Sequence, residues 1–235
     1  MSDILDLIRI ELKNYSDEKT KQASQYFFKD KIKCYGIKSA TVKQISKSIF
    51  KICDFKSKDD IFRICSELFK SGYIEESFIA CHWSYNIRKQ FTKDDFVLFE
   101  KWVNRNISNW ATCDTFCNHT LGEFIEKYPE YLTELKRWTL SENRWMRRAA
   151  AVSLIIPAKK GLFLKDIFEI ADLLISDNDD MVQKGYGWLL KVACNKQETR
   201  VFEYIMNRKE TMPRTALRYA IEKMPIELKK QAMVK

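Results

Sequence analysis

Two residues of one short stretch have the types and the spacing for joint chemistry: Trp110 and Asp114, in the run Ser108-Asn109-Trp110-Ala111-Thr112-Cys113-Asp114-Thr115-Phe116. With Ser108 or Asn109 as the N-cap, this run opens a helix, and the four-residue spacing puts indole and carboxylate on one face. A carboxylate one turn beyond an indole suits neither a dry core nor a plain solvated face. The ordinary structural reading is a half-buried Trp with a solvated Asp beside it. What surrounds the pair along the chain favours chemistry.

Thirty-four residues after Asp114 stands Arg148, in Trp145-Met146-Arg147-Arg148-Ala149-Ala150. A further shift of 35 reaches Gln183, whose neighbour Lys184 is followed by Trp188 and Lys191 at i+4 and i+3, so that these three share a helical face. Cations and two accessible indoles on one side of a helical array fit a nucleic-acid backbone. The structural alternative for Arg148 is a pair with Asp114 that joins two repeats, a contact worth only ~0–1 kcal/mol on a surface. Trp102, Trp138 and Trp145 read as packing between helices. Gly185 and Gly187 either let helices approach closely or leave open space around Trp188 where a ligand docks, and the second reading is preferred here.

The elements that must position these groups are helices. Ser2 begins one with a stripe of Ile4, Leu5, Ile8 and Leu12; Ser16 with Asp17 and Glu18 caps a second that carries Tyr26, Phe27 and Phe28. Ser39 caps a third, and Ser57 with Asp59 and Asp60 a fourth that Gly72 stops. A fifth runs from Ile74 to Phe91 and contains His82, read as structural, and Thr92 with Asp94 and Asp95 caps a sixth reaching Asn106. In the second half, Ser141 to Met146 is echoed at Ser176 to Met181, and Asn109 precedes Asn143 by 34. Two helical patterns fill the first interval and Leu162 to Ile175 the second. A period of 34–35 with two helices per unit is an α-solenoid signature. Helices from Glu198 to Asn207 and Met212 to Lys223 follow, and Pro225 opens a last short one.

Composition agrees. Of 235 residues 46% are apolar and 13% aromatic, which argues for a folded chain, and only 6 Gly and 4 Pro disfavour a turn-rich β fold. Lys and Arg exceed Asp and Glu by 9, a surplus that suits a polyanionic partner. Seven cysteines without a framework spacing, after a charged start lacking an apolar leader, indicate a reducing cytoplasm. No apolar run is long enough for a membrane span. Cys113, Cys117 and His119 lack a second ligand pair at zinc-like spacing and read as core, so neither a metal nor a cofactor is expected.

Taken together as Trp110-x3-Asp114, Trp145-Met-Arg-Arg148-Ala-Ala and Val182-Gln-Lys-Gly-Tyr-Gly-Trp188, the motifs resemble the AlkD-type DNA alkylation repair family, the HEAT-like-repeat DNA glycosylases. The resemblance covers nearly the whole chain, from Tyr26-Phe27-Phe28 before Gly36-Ile37 onward. It implies one all-α domain over residues 1–235, an α-α superhelix that is C-shaped with a basic concave groove. It also implies a monomer that excises positively charged alkylated purines, 3-methyladenine and 7-methylguanine, from duplex DNA. The catalytic Asp matches Asp114, the two active-site Trp match Trp110 and Trp188, and the phosphate-binding Arg matches Arg148. Arg148, Lys191, Lys184, Lys43, Ser39 and Phe27 are the implied DNA-binding set. Four positions depart from the family pattern: Phe27 stands for a Tyr, Ala40 for a Pro, Lys43 for an Arg, and Lys191 for an Arg. A non-catalytic binder of distorted DNA and a HEAT-type scaffold for an acidic protein are the competing functions.

Overall fold

Polar side chains reaching back to backbone N–H groups fix several of the helix starts. The computed structural model describes residues 2–28 and 31–234, and the chain divides into two compact units, Met1–Phe116 and Cys117–Lys235. The first holds α1 (Ser2–Asn14), α2 (Glu18–Phe27), α3 (Ser39–Ile52), α4 (Lys58–Lys70), α5 (Ile74–Asn86), α6 (Asp95–Arg105) and α7 (Trp110–Phe116). At α4 a full capping box forms: the Ser57 hydroxyl accepts from the Asp60 N–H while the Asp60 carboxylate accepts from that of Ser57. Three expected starts or ends are displaced. Asp17, not Ser16, caps α2, since its carboxylate accepts the Thr20 N–H at 2.7 Å while the Ser16 hydroxyl donates back to the Lys13 carbonyl. Ser39 is the first helical residue of α3 and Lys38 its cap, with no side-chain cap bond. The fifth helix stops at Asn86, and a short 3-10 turn, Arg88–Gln90, leads on to Phe91.

In this unit the core is aromatic. Phe62, Phe69, Phe99, Trp102 and Phe116 meet with ring centroids 5.1–5.7 Å apart, and α5 packs on α3, α4 and α7. The buried Trp83 and Trp102 indoles donate to the Ser46 carbonyl at 3.1 Å and the Ser66 hydroxyl at 3.0 Å, so each large apolar body is buried without orphaning its N–H.

The second unit starts with a π-helical turn, Cys117–Leu121. It continues through α8 (Gly122–Lys127), α9 (Leu132–Trp138), α10 (Arg144–Val152), α11 (Ile155–Lys160), α12 (Leu164–Leu174), α13 (Asp180–Met206), α14 (Arg214–Ile221) and α15 (Ile226–Met233). The helix expected at Glu198 is the far arm of α13, which bends at Gln197 (φ −140°, ψ 43°). The α13 helix packs on α10, α11, α12 and α14 and buries Tyr186, Leu189 and Leu190 completely. Among the described residues the one strand-like feature is a single parallel bridge between Lys33 and Tyr73.

Within each unit the ties between neighbouring helix pairs recur at repeat-like separations. Lys58 pairs with Asp95 at 2.7 Å in the first unit. In the second, Lys160 pairs with Glu126 at 2.7 Å, Arg144 with Asp179 at 2.8 Å and Arg147 with Asp177 at 2.6 Å, while Arg208 meets Asp172. Sequence separations for these pairs are 37, 34, 35, 30 and 36 residues. Such spacing is what stacked two-helix units of about 35 residues produce, because each unit touches chiefly its neighbours. The fold is all-α and follows a helical-repeat register.

Candidate active site

Asn109 places the first group of candidates. Its Oδ1 accepts the Thr112 N–H at 2.9 Å, so α7 starts at Trp110, as the spacing requires. One side of this short helix carries Cys113 and Phe116, both without exposure, and the other carries Trp110 and Asp114, both half-buried. A half-buried carboxylate is desolvated enough to act strongly on a neighbouring charge and open enough to meet a ligand.

Trp110 does not stand alone. Phe28 lies nearly parallel to it, with ring centroids 5.4 Å apart and planes at 26°, and Phe27 meets it tilted at 5.7 Å and 58°. Phe27 is 67% exposed. Phe27, Phe28, Trp110, Ser39, Phe78 and Glu75 border one cleft of about 360 Å³. Behind it, the buried Glu75 carboxylate accepts three backbone N–H groups, from Tyr35 (3.0 Å), Gly36 (2.9 Å) and Ile37 (3.2 Å). Gly36 turns there with φ +85°, and a Cβ would sit 2.4 Å from the Asp17 carbonyl, so only glycine fits. Glu75 thereby pins the loop that delivers Ser39 to the start of α3. Next to it, the buried Glu76 accepts the Tyr35 hydroxyl at 2.7 Å and pairs with Arg9 at 3.3 Å. Burial, then the Glu76 bond, pushes the Tyr35 hydroxyl up and keeps it protonated. Ser39 and Lys43, one turn apart, are exposed, and Lys43 has no ion pair among the described residues.

The cationic candidates lie on α10 and α13. Asn143 caps α10 by accepting the Trp145 N–H, and Arg148 follows one turn later, only 5% exposed. Its Nη1 donates to the Met181 carbonyl on α13. Asp179 caps α13, so the caps of α10 and α13 are 36 residues apart, one more than the sequence echo. Lys184, not Gln183, therefore occupies the place of Arg148 in the next repeat, while the Gln183 amide turns back to the Asp177 carbonyl at 2.8 Å. Lys184 pairs with Asp180 at 2.9 Å. Trp188 is half-buried. Lys191 pairs with Glu222 at 2.8 Å, its ammonium 5.7 Å from the Tyr219 ring centroid, and this bond holds the Glu222 carboxyl below its ordinary value.

Open space around Trp188 is not what the glycines supply. A Cβ on Gly185 would lie 3.3 Å from Cγ of Arg148, and one on Gly187 would lie 2.7 Å from both the Ala216 carbonyl and Cβ of Tyr219. Gly185 makes room for the Arg148 stem, and Gly187 lets α14 approach. Trp102, Trp138 and Trp145 are buried between helices, as expected of them. Cys113 and Cys117 lie in the core, whereas His119 is exposed. Among the described residues no group of three or more His, Cys, Asp or Glu side chains is arranged to hold a metal ion, and no helix is long and apolar enough to cross a membrane.

Phe28 and Glu75 are the site residues that sequence reasoning passed over. The paired rings at the end of α2 were the available signal for Phe28. Nothing in Ile74-Glu75-Glu76 separates Glu75 from any acid placed in a first helical turn.

The family described as DNA alkylation repair enzyme matches residues 8–224. A solved structure named "Predicted DNA alkylation repair enzyme from Enterococcus faecalis" superposes with a TM-score of 0.79 at 17% identity, covering 90% of this chain and 97% of that one. At that identity the likeness concerns the fold. No curated protein matches.

Proposed function

The chain belongs to the DNA alkylation repair enzyme family, and from that premise we propose that it is a monofunctional DNA glycosylase. It hydrolyses the N-glycosidic bond of positively charged alkylpurines, 3-methyladenine and 7-methylguanine, in duplex DNA. The observation that carries this reading is a half-buried carboxylate, Asp114, one turn from a half-buried indole at the start of α7.

An N3- or N7-alkylated purine is cationic, so its glycosidic bond is already weakened. When that bond breaks, its electron pair passes to the base, which leaves neutral and needs no general acid. The demanding partner is the sugar, whose C1′ gathers positive charge as the bond stretches. Asp114 stabilises that charge and orients a water; the water oxygen bonds to C1′ and its proton passes to the carboxylate or to solvent. A well-placed group of this kind supplies on the order of 3–4 kcal/mol. The faces of Trp110 and Trp188 attract the cationic lesion or sugar, by about 0.5–2 kcal/mol each. Arg148 binds a phosphate beside the lesion. Its bond to the Met181 carbonyl and its stem against Gly185 support that role, because they fix the guanidinium fork. Lys184, Lys191, Lys43 and Ser39 hold the DNA backbone.

Transfer of the alkyl group to a protein thiol is the chemical alternative, and the cysteines speak against it. Cys113 and Cys117, the thiols next to Asp114 in the chain, have no exposure, and burial raises the pKa of Cys34, Cys53, Cys65, Cys81 and Cys194.

The deciding experiment incubates methylated duplex with the wild type and with Asp114→Asn, reading base release and DNA binding separately. Release by the wild type, with loss in the variant at unchanged affinity, supports the glycosylase. Affinity without release in the wild type selects the second reading, a non-catalytic binder of distorted DNA, which Phe27 favours because it brings no hydroxyl to the site.

A further inference from the structure

The exposed side of α14 carries a charge pattern that its own helix does not explain. Arg214, Arg218 and Glu222 follow one another at four-residue intervals and share a face, opposite the buried Ala216, Leu217, Ala220 and Ile221. A cation in the first turn and an acid at the last each oppose the helix dipole, so neither end is placed for helix stability. Both arginines are exposed and unpaired among the described residues. Glu210 borders the same cleft as Arg214 but forms no ion pair with it. Glu222, by contrast, is fully engaged: its Oε2 holds Lys191 of α13 at 2.8 Å, and Tyr219, also of α14, lies under the same ammonium. The ridge therefore meets α13 at Lys191, one turn from Trp188. Gly187 keeps that junction close, since its backbone packs on Ala216 and Tyr219.

We infer that α14 is a second phosphate-binding ridge for duplex DNA: Arg214 and Arg218 each take a backbone phosphate, and Glu222 occupies Lys191 until a phosphate displaces it. This extends the glycosylase reading by assigning new DNA-contacting residues, and it rests on DNA being the ligand. Glu222 imitates the anion that Lys191 is built to hold. In the free protein it neutralises that ammonium and keeps it over the Tyr219 ring, one turn of α13 from Trp188. On DNA the carboxylate is released to solvent, which its half-exposed position permits.

The test measures affinity for a short unmodified duplex over a range of KCl concentrations, so that its outcome does not depend on base release. Each phosphate contact contributes about 0.9 to the slope of log affinity against log salt. Arg214→Gln with Arg218→Gln is expected to make that slope shallower by about 1.8. Arg214→Lys with Arg218→Lys is expected to keep it, since a point charge suffices for a phosphate. Glu222→Gln is expected to tighten binding several-fold, and the gain should vanish in a Lys191→Gln background. An unchanged slope in the double Gln variant, or an equal gain from Glu222→Gln with and without Lys191, overturns the inference. Normal base release together with unchanged slopes sinks this ridge alone; altered slopes in a protein that releases no base sink the glycosylase alone. Thermal melting of each variant confirms that the exposed substitutions leave the fold intact.

Discussion

Asp114 and Glu75 are both acids in helical first turns or near them, yet their surroundings give them opposite tasks. Asp114, half-buried one turn from Trp110, is the group we propose to act on the DNA sugar. Removing its charge as Asp114→Asn should slow base release by about 10²–10³-fold, the scale set by losing one preorganised electrostatic group, with duplex affinity kept. Single-turnover release against a binding isotherm checks both halves of that statement. Glu75 has spent its oxygens on three backbone N–H groups. A glutamine there offers one acceptor oxygen and turns an NH2 toward donors, so Glu75→Gln should cost about 1.5–3 kcal/mol in urea unfolding. It should also weaken DNA binding, because the loop it pins carries Ser39. The paired rings at the end of α2 pointed to Phe28 only weakly, because aromatic side chains at a helix end are usually core; the ring geometry shows it lying along the face of Trp110.

Helices whose first polar side chain can reach back to an N–H were readable from sequence, as Ser57 illustrates. Where two cap residues adjoin, as at Ser16-Asp17 or Asn178-Asp179, residue type marks the region but not the cap itself; side-chain geometry selected the aspartate each time. That one-residue choice moved the counterpart of Arg148 from Gln183 to Lys184. Periodicity also overran α5, since Ile87 and Phe91 are both buried and keep the apolar pattern alive past the true end at Asn86. The glycines of α13 misled differently, because a glycine is silent about whether its space is filled. Their roles separate under substitution. Gly187→Ala gains ~1 kcal/mol of helix propensity but forces α14 backbone away, an overpacking cost of about 1–3 kcal/mol, so melting should show net destabilisation. Gly185→Ala meets Cγ of the held Arg148 stem at 3.3 Å, a push of a few tenths of an ångström that offsets the ~1 kcal/mol of helix propensity gained, so stability should stay nearly unchanged while DNA binding weakens.

For the molecule as a whole, the surplus of 9 positive charges and the short connections were legible from composition, and the inter-helix pairs at repeat-like separations give that repeat its physical form. Selectivity that follows lesion charge should show as faster release of 7-methylguanine than of the neutral ethenoadenine in matched duplexes; equal rates would contradict it. The product strand should stay intact until alkali is added, as expected when water rather than an amine attacks C1′. The seven free cysteines carry a further consequence, six of them being buried. Small methylating electrophiles do not distinguish a nucleobase from a thiolate, and the conditions that create damaged purines are those under which an accessible sulfur would be consumed. A chain that folds nearly all its sulfur into the interior keeps its own chemistry intact through the exposure that calls it into use.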